Sequence, residues 1–147
     1  MSTILDYLGS DHRACDGLFA AAEESVSRRD WGHAAKLFAQ FHHAMARHFD
    51  MEERVLFPGF EAKTGQTMGP TQVMRAEHVQ MRDLMGQMQA ALAAEHEDTY
   101  LGLSETLNML MQQHNLKEEN VLYPMADRVL AAERDGLIGR MDDLENQ

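Results

Sequence analysis

The sequence predicts an all-α protein, an antiparallel up-down-up-down four-helix bundle with a short C-terminal helix. Three observations carry this. Four long stretches place apolar residues at steps of three and four, the spacing of one helix face. Only three prolines interrupt 147 residues. The second half of the chain also repeats the first at an offset of 66 residues (His48 to His114), giving one αα-hairpin over about 4–62 and another over about 70–131. Short connections between long helices make neighbours antiparallel. A single domain spanning 1–147 is expected at this length, large enough to bury about 68–70% of its unfolded surface.

Ser2 and Thr3 are helix caps, with Asp6 in the first turn. Leu5, Leu8, His12, Cys15, Phe19, Ala22 and Val26 then form the seam of a helix running to about Arg28. Arg29-Asp30 is a short turn, and Asp30 can cap the second helix. That helix carries Phe38, Phe41, Met45, His48, Glu52 and Val55, and Pro58-Gly59 is expected to interrupt it. Lys63 to Gly69 read as the longest loop. Pro70 suits the first turn of a third helix, with the seam Met74, His78, Met81, Met85, Met88 and Leu92. Glu95 to Asp98 make the next turn. The fourth helix carries Leu107, Met111, His114, Glu118, Val121 and Met125, with a kink expected at Pro124 and continuation towards Leu130. A short helix over about Leu137 to Leu144 is expected to pack outside.

Histidine breaks the apolar series in every seam, and glutamate breaks it in two. His48-x-x-x-Glu52-Glu53-x-Val55-Leu56-x-Pro58 recurs as His114-x-x-x-Glu118-Glu119-x-Val121-Leu122-x-Pro124, and the same offset carries His12 onto His78. Counting from the turns at about 1.5 Å per residue brings all four histidines to one level. A glutamate four residues after a histidine shares its helix face. A single histidine on a seam is ordinarily a satisfied core residue. Two carboxylates and four imidazoles converging in one layer would instead cost several kcal/mol if they bound nothing. A metal removes that cost, so His12, His48, Glu52, His78, His114 and Glu118 are the candidate ligands. Imidazole with carboxylate suits iron, manganese or zinc. Six donors exceed one tetrahedral zinc, and carboxylates readily bridge two ions.

Composition narrows the partners. The net charge of −11 argues against nucleic acid and anionic membranes. No apolar run approaches the roughly 20 residues of a membrane helix, and the N-terminal residues do not read as a signal peptide. The single Cys15 excludes an internal disulfide and suits a reducing cytoplasm.

The order His12, His48-x-x-x-Glu52, His78, His114-x-x-x-Glu118, with Glu-Glu-x-Val-Leu-Phe/Tyr-Pro closing each paired motif, resembles the hemerythrin-like (HHE cation-binding) domain over roughly residues 4 to 131. The resemblance implies a four-helix bundle holding two non-haem iron ions, oxo- or hydroxo-bridged, on those six residues, with Glu52 and Glu118 bridging. It also implies a small ligand: dioxygen, nitric oxide or peroxide. Oxygen-carrying hemerythrins have His-x-x-x-His in the third helix, where this chain has Met74-x-x-x-His78. They place an aspartate five residues after the last histidine, where this chain has Glu118 four after His114. Both departures resemble the metal domain of bacterial iron-centre repair proteins, which carry a further N-terminal domain not expected here. Small-ligand binding, reaction with the ligand, iron donation or repair through a protein partner, and redox or oxygen sensing all stand as readings at this point. The ligand count leaves one free position on each iron, because the thioether of Met74 is a poor donor to a hard ion.

The remaining candidates take structural roles. Cys15 is expected to be a buried, inert thiol, and the 12 methionines to fill the core. His33 and His96 are expected near the turns and exposed, and His42 and His43 are not needed as ligands. Glu53 and Glu119 lie about 100° round the helix from Glu52 and Glu118; they could be hydrogen-bond partners of the ligands, but a solvated face is the favoured expectation. Tyr123, which matches Phe57 in the repeat, could place a hydroxyl near the site, although a role there is not the favoured expectation.

Overall fold

A computed structural model describes residues 2–144; Met1 and residues 145–147 lie outside the described residues. The fold is an all-helical bundle. Helix α1 spans Ile4–Ser27 and opens on Thr3, whose hydroxyl accepts from the Asp6 N–H at 3.0 Å in a reciprocal capping box. Asp127 accepts from the Ile4 and Leu5 N–H groups at 2.8 and 3.1 Å, a carboxylate on the positive end of α1. Helix α2, Trp31–Met51, is capped by Asp30 accepting from the His33 N–H, as its sequence predicts. Helix α4 is Pro70–Ala93, with Pro70 at its first position, and α5 is Glu97–Lys117.

Both hairpin turns are built alike. Arg29 (φ 57°) and Glu95 (φ 55°), which are equivalent in the repeat, take the left-handed conformation. Around them Arg29 N–H donates to Val26 and Asp30 N–H to Ser25, while Glu95 N–H donates to Leu92 and His96 N–H to Ala91. These paired bonds satisfy the last carbonyls of α1 and α4. The second turn is tighter than its sequence suggests, since α5 has already begun at Glu97.

The prolines do not break the long helices. After α2 the chain passes without interruption through a π-helical turn, Glu52–Leu56, into α3, Phe57–Thr64. After α5 it passes through a second, Glu118–Leu122, into α6, Tyr123–Val129. In each turn the residue before proline donates its N–H five residues back, Phe57 to Glu52 and Tyr123 to Glu118. Proline has no N–H to donate, and the widened turn gives its ring room where an α-turn would clash. The loop therefore shortens to residues 65–69, with Gly65 (φ 73°) closing α3. The added residue also delays the apolar register, so Val121 is 52% exposed while Leu122 is buried. Val55, its equivalent in the first half, is buried because α7, Arg134–Asp143, packs on that turn through Leu137 and Met141.

Helix α1 packs on α2 and α5, and α4 on α5 and α2. Two apolar clusters fill the interior. One holds Phe19, Val26, Phe38, Phe41, Met85 and Leu107 near the hairpin turns. The other holds Leu8, Leu56, Phe57, Phe60, Leu122 and Leu137. A layer of buried polar side chains lies between them. No described helix is long and apolar enough to cross a membrane.

Candidate metal centre

The polar layer contains all six side chains singled out in the sequence. His12, His48, Glu52, His78, His114 and Glu118 are each at most 5% exposed. One donor atom from each of Glu52, His78, His114 and Glu118 lies within 4.8 Å of the others, and the same holds for His12, His48 and Glu118. Glu118 belongs to both sets. His12 Nε2 lies 3.0 Å from Glu118 Oε1 and His114 Nε2 lies 3.2 Å from Glu118 Oε2. Glu52 Oε1 stands 3.1 Å from His78 Nε2 and 3.4 Å from His48 Nε2.

The orientation of the rings comes from a second set of carboxylates. Each Nδ1 faces one: His12 to Glu119 at 2.8 Å, His48 to Asp11 at 2.7 Å, His78 to Glu53 at 2.6 Å and His114 to Glu77 at 2.7 Å. An N–H at Nδ1 leaves Nε2 of a neutral ring with a lone pair, and all four Nε2 atoms point inward. Arg47, Arg82 and Lys117 brace Asp11, Glu53 and Glu77 from outside. Glu53 and Glu119 are thus partners of the site rather than a solvated face. Because each lies one residue on from a core glutamate, it projects from the side of the helix and meets a histidine of the neighbouring helix. Asp11 and Glu77 went unnoticed in the sequence, although the 66-residue offset superposes them just as it does His12 and His78.

Tyr123 is a second correction. Its hydroxyl is buried in the layer, donating to Glu52 Oε2 at 2.7 Å and lying 2.9 Å from Glu118 Oε1. Five α-helical steps would turn Tyr123 about 140° away from Glu118. The π-turn stacks the two residues instead, a feature that seam counting cannot anticipate. Phe57, its repeat partner, stacks on His78 with ring centroids 5.7 Å apart, and Phe49 does so at 4.0 Å. Cys15, Met45, Phe49, Met81 and Met111 line a small cavity that reaches His12, His48 and His114 from the hairpin-turn side. His33 and His96 are exposed, away from this layer.

Without a cation the layer is electrostatically unbalanced. Burial and the charge of Glu118 push the Glu52 carboxyl up. Burial acts against His114 too, but Glu118, Glu52 and Glu77 raise its imidazole to about 9. Against its own partial burial, hydrogen bonds from His78 and Arg82 bring Glu53 down to about 2. Glu52 Oε1, Glu118 Oε2, His78 Nε2 and His114 Nε2 are buried with no aligned hydrogen-bond partner. Four inward nitrogen and oxygen atoms left unsatisfied in one place fit a bound cation, and the imidazole–carboxylate set fits iron.

The chain matches the Hemerythrin HHE cation binding domain over residues 3–126. It is similar to a protein of Cronobacter sakazakii named Iron-sulfur cluster repair protein YtfE, 31% identical over 110 residues, covering 68% of this chain and 48% of that protein. The chain therefore spans about half the length of that relative. No solved structure matches it significantly. With the paired His-x-x-x-Glu motifs gathered in one buried layer and the family match covering most of its length, the chain belongs to the hemerythrin family of HHE cation-binding domains.

Proposed function

We propose that the chain is a single cytoplasmic domain, an up-down-up-down four-helix bundle holding two iron ions, that binds or reacts with a small ligand such as dioxygen, nitric oxide or peroxide. The observation that carries this reading is the set of four Nε2 atoms held inward around Glu52 and Glu118 by carboxylates behind each ring. His12 and His48 would hold one ion, His78 and His114 the other, and Glu52 and Glu118 would bridge them. Iron bound there supplies redox electrons and a coordination position for a small molecule. The protein fixes the ring tautomers and buries the six side chains away from bulk water.

The test is metal content with a visible spectrum after aerobic purification from iron-supplied cells. Two ions per chain are expected, with retention lost in His114→Ala and kept in His96→Ala. One ion per chain, or equal loss in both variants, contradicts the reading. A second reading, iron donation to or repair of damaged iron centres, is favoured by the likeness to the protein named for iron–sulfur cluster repair. Transfer of iron from the loaded chain to an apo iron–sulfur protein would support it, and retention of the iron would speak for the first.

A further inference from the structure

The repeat matches all six histidines and glutamates of the metal layer between the two halves, but Tyr123 in the second half stands where the first half has Phe57, whose ring carries no oxygen. The phenol oxygen is placed asymmetrically. It lies 2.7 Å from Glu52 Oε2, 2.9 Å from Glu118 Oε1, 3.2 Å from His12 Nε2 and 3.4 Å from His48 Nε2. No such contact joins it to His78 or His114 among the described residues, where the aromatic neighbours are Phe49 and Phe57. In an octahedral site with donors about 2.1 Å from the ion, neighbouring donors are about 3 Å apart. An oxygen at that spacing from four donors at once occupies a vertex adjacent to all four. A hydrogen-bond donor to one carboxylate has no need to approach two imidazole nitrogens that offer themselves to a metal.

We infer that Tyr123 is a seventh protein ligand, bound as phenolate to the ion held by His12 and His48. This rests on the metal reading above. Ligation breaks the O–H bond and releases one proton to solvent, with no electron transferred, and the ion's charge stabilises the phenolate. The ligand count then changes. The phenolate fills the position left free on the first ion, whereas the ion of His78 and His114 keeps its own. The centre is unequal, and a small ligand is directed to the ion of His78 and His114, which alone keeps a free position. The unequal pair reached in oxygen carriers by an added histidine is reached here by a phenol on the other ion.

The experiment is resonance Raman and visible spectroscopy of the full chain loaded with iron(III), alongside metal analysis. The expected result is a phenolate-to-iron charge-transfer band with ring modes of a bound phenolate, at least tenfold weaker in Tyr123→Phe. Of the three tyrosines, Tyr7 is bonded to Asp142 and Tyr100 packs on Phe38, so the parent spectrum is itself decisive even if the variant loses iron. Phe57→Tyr should add a second phenolate signal on the other ion. Iron-loaded parent protein without phenolate modes overturns the inference while leaving the metal reading intact. A chain that takes up no iron overturns both.

Discussion

Replacing Glu77 with glutamine tests whether the outer carboxylates set metal affinity. Glu77 Oε1 accepts from His114 Nδ1 at 2.7 Å, and the carboxylate is 22% exposed. A hydrogen bond to a charged group contributes about 1.5–3 kcal/mol net, against about 1 kcal/mol for a neutral one. Glutamine keeps an acceptor and loses the charge, so the difference is about 1–2 kcal/mol, with solvent favouring the lower part of that range. About 1.4 kcal/mol corresponds to a tenfold weaker ion. Glu77→Ala also strands a buried N–H and frees the ring to exchange tautomers, so its loss should approach about 100-fold. Anaerobic competition of iron(II) against a chromophoric chelator measures both, with exposed Glu105→Gln expected to behave as the parent. Asp11→Asn should produce the same loss through His48, on the other ion. An affinity for Glu77→Ala within about twofold of the parent, with the metal-free fold unchanged, would refute the argument that ring orientation is set from outside.

Three further outcomes follow from the same geometry. Chelation should lower the melting temperature: with metal at about 100 times Kd, binding contributes about 2.7 kcal/mol, or about 5–10 °C for a chain of this size, and an unchanged melting curve would count against coupling of metal and fold. Metal affinity should rise with pH towards about 9, because in the metal-free protein Glu118, Glu52 and Glu77 outweigh burial and keep His114 protonated up to about 9. An ion must displace that proton, so uptake at neutral pH should acidify a weakly buffered solution, and affinity flat across this range would be the contrary result. Cys15, 3% exposed and pushed up to about 12 by burial and then by the charges of Asp11 and Asp16, should resist alkylation at pH 8 until denaturant is added; rapid labelling of the native protein would show the cavity to be open.

Much of the fold was legible because helix seams and caps are local signals. Thr3, Asp30 and Pro70 start helices where the sequence places them, and the polar residues of the seams meet at the level that counting from the turns gives. What was not legible came from departures from the ideal α-helical angle. A proline reads as a break, whereas Pro58 and Pro124 each follow a π-turn that keeps the helix whole. Val121 was misplaced for that reason, having been set on the seam at about 100° per residue through a stretch that turns less, and the same stretch brings Tyr123 into the layer. Asp11, Glu53, Glu77 and Glu119 were missed or set aside because their partners lie on neighbouring helices, and a seam drawn on one helix does not show them. Extending the repeat outward from the histidines would have exposed a further matched pair, Asp11 with Glu77.

The two π-turns make the spacing of the chain as consequential as its chemistry. Glu118 and Tyr123 both face the interior although they stand five positions apart, because the turn between them holds one residue more than an α-helix would. No side-chain replacement reproduces that phase. Deleting exposed Val121, a residue that buries little, would let the segment relax to an α-turn and rotate everything after it by about 100°. Tyr123 would leave the layer, Leu122 and Ala126 would leave their cluster, and Asp127 would swing away from the start of α1. Insertions and deletions within these five residues should therefore be tolerated far less than substitutions at the same solvent-facing positions.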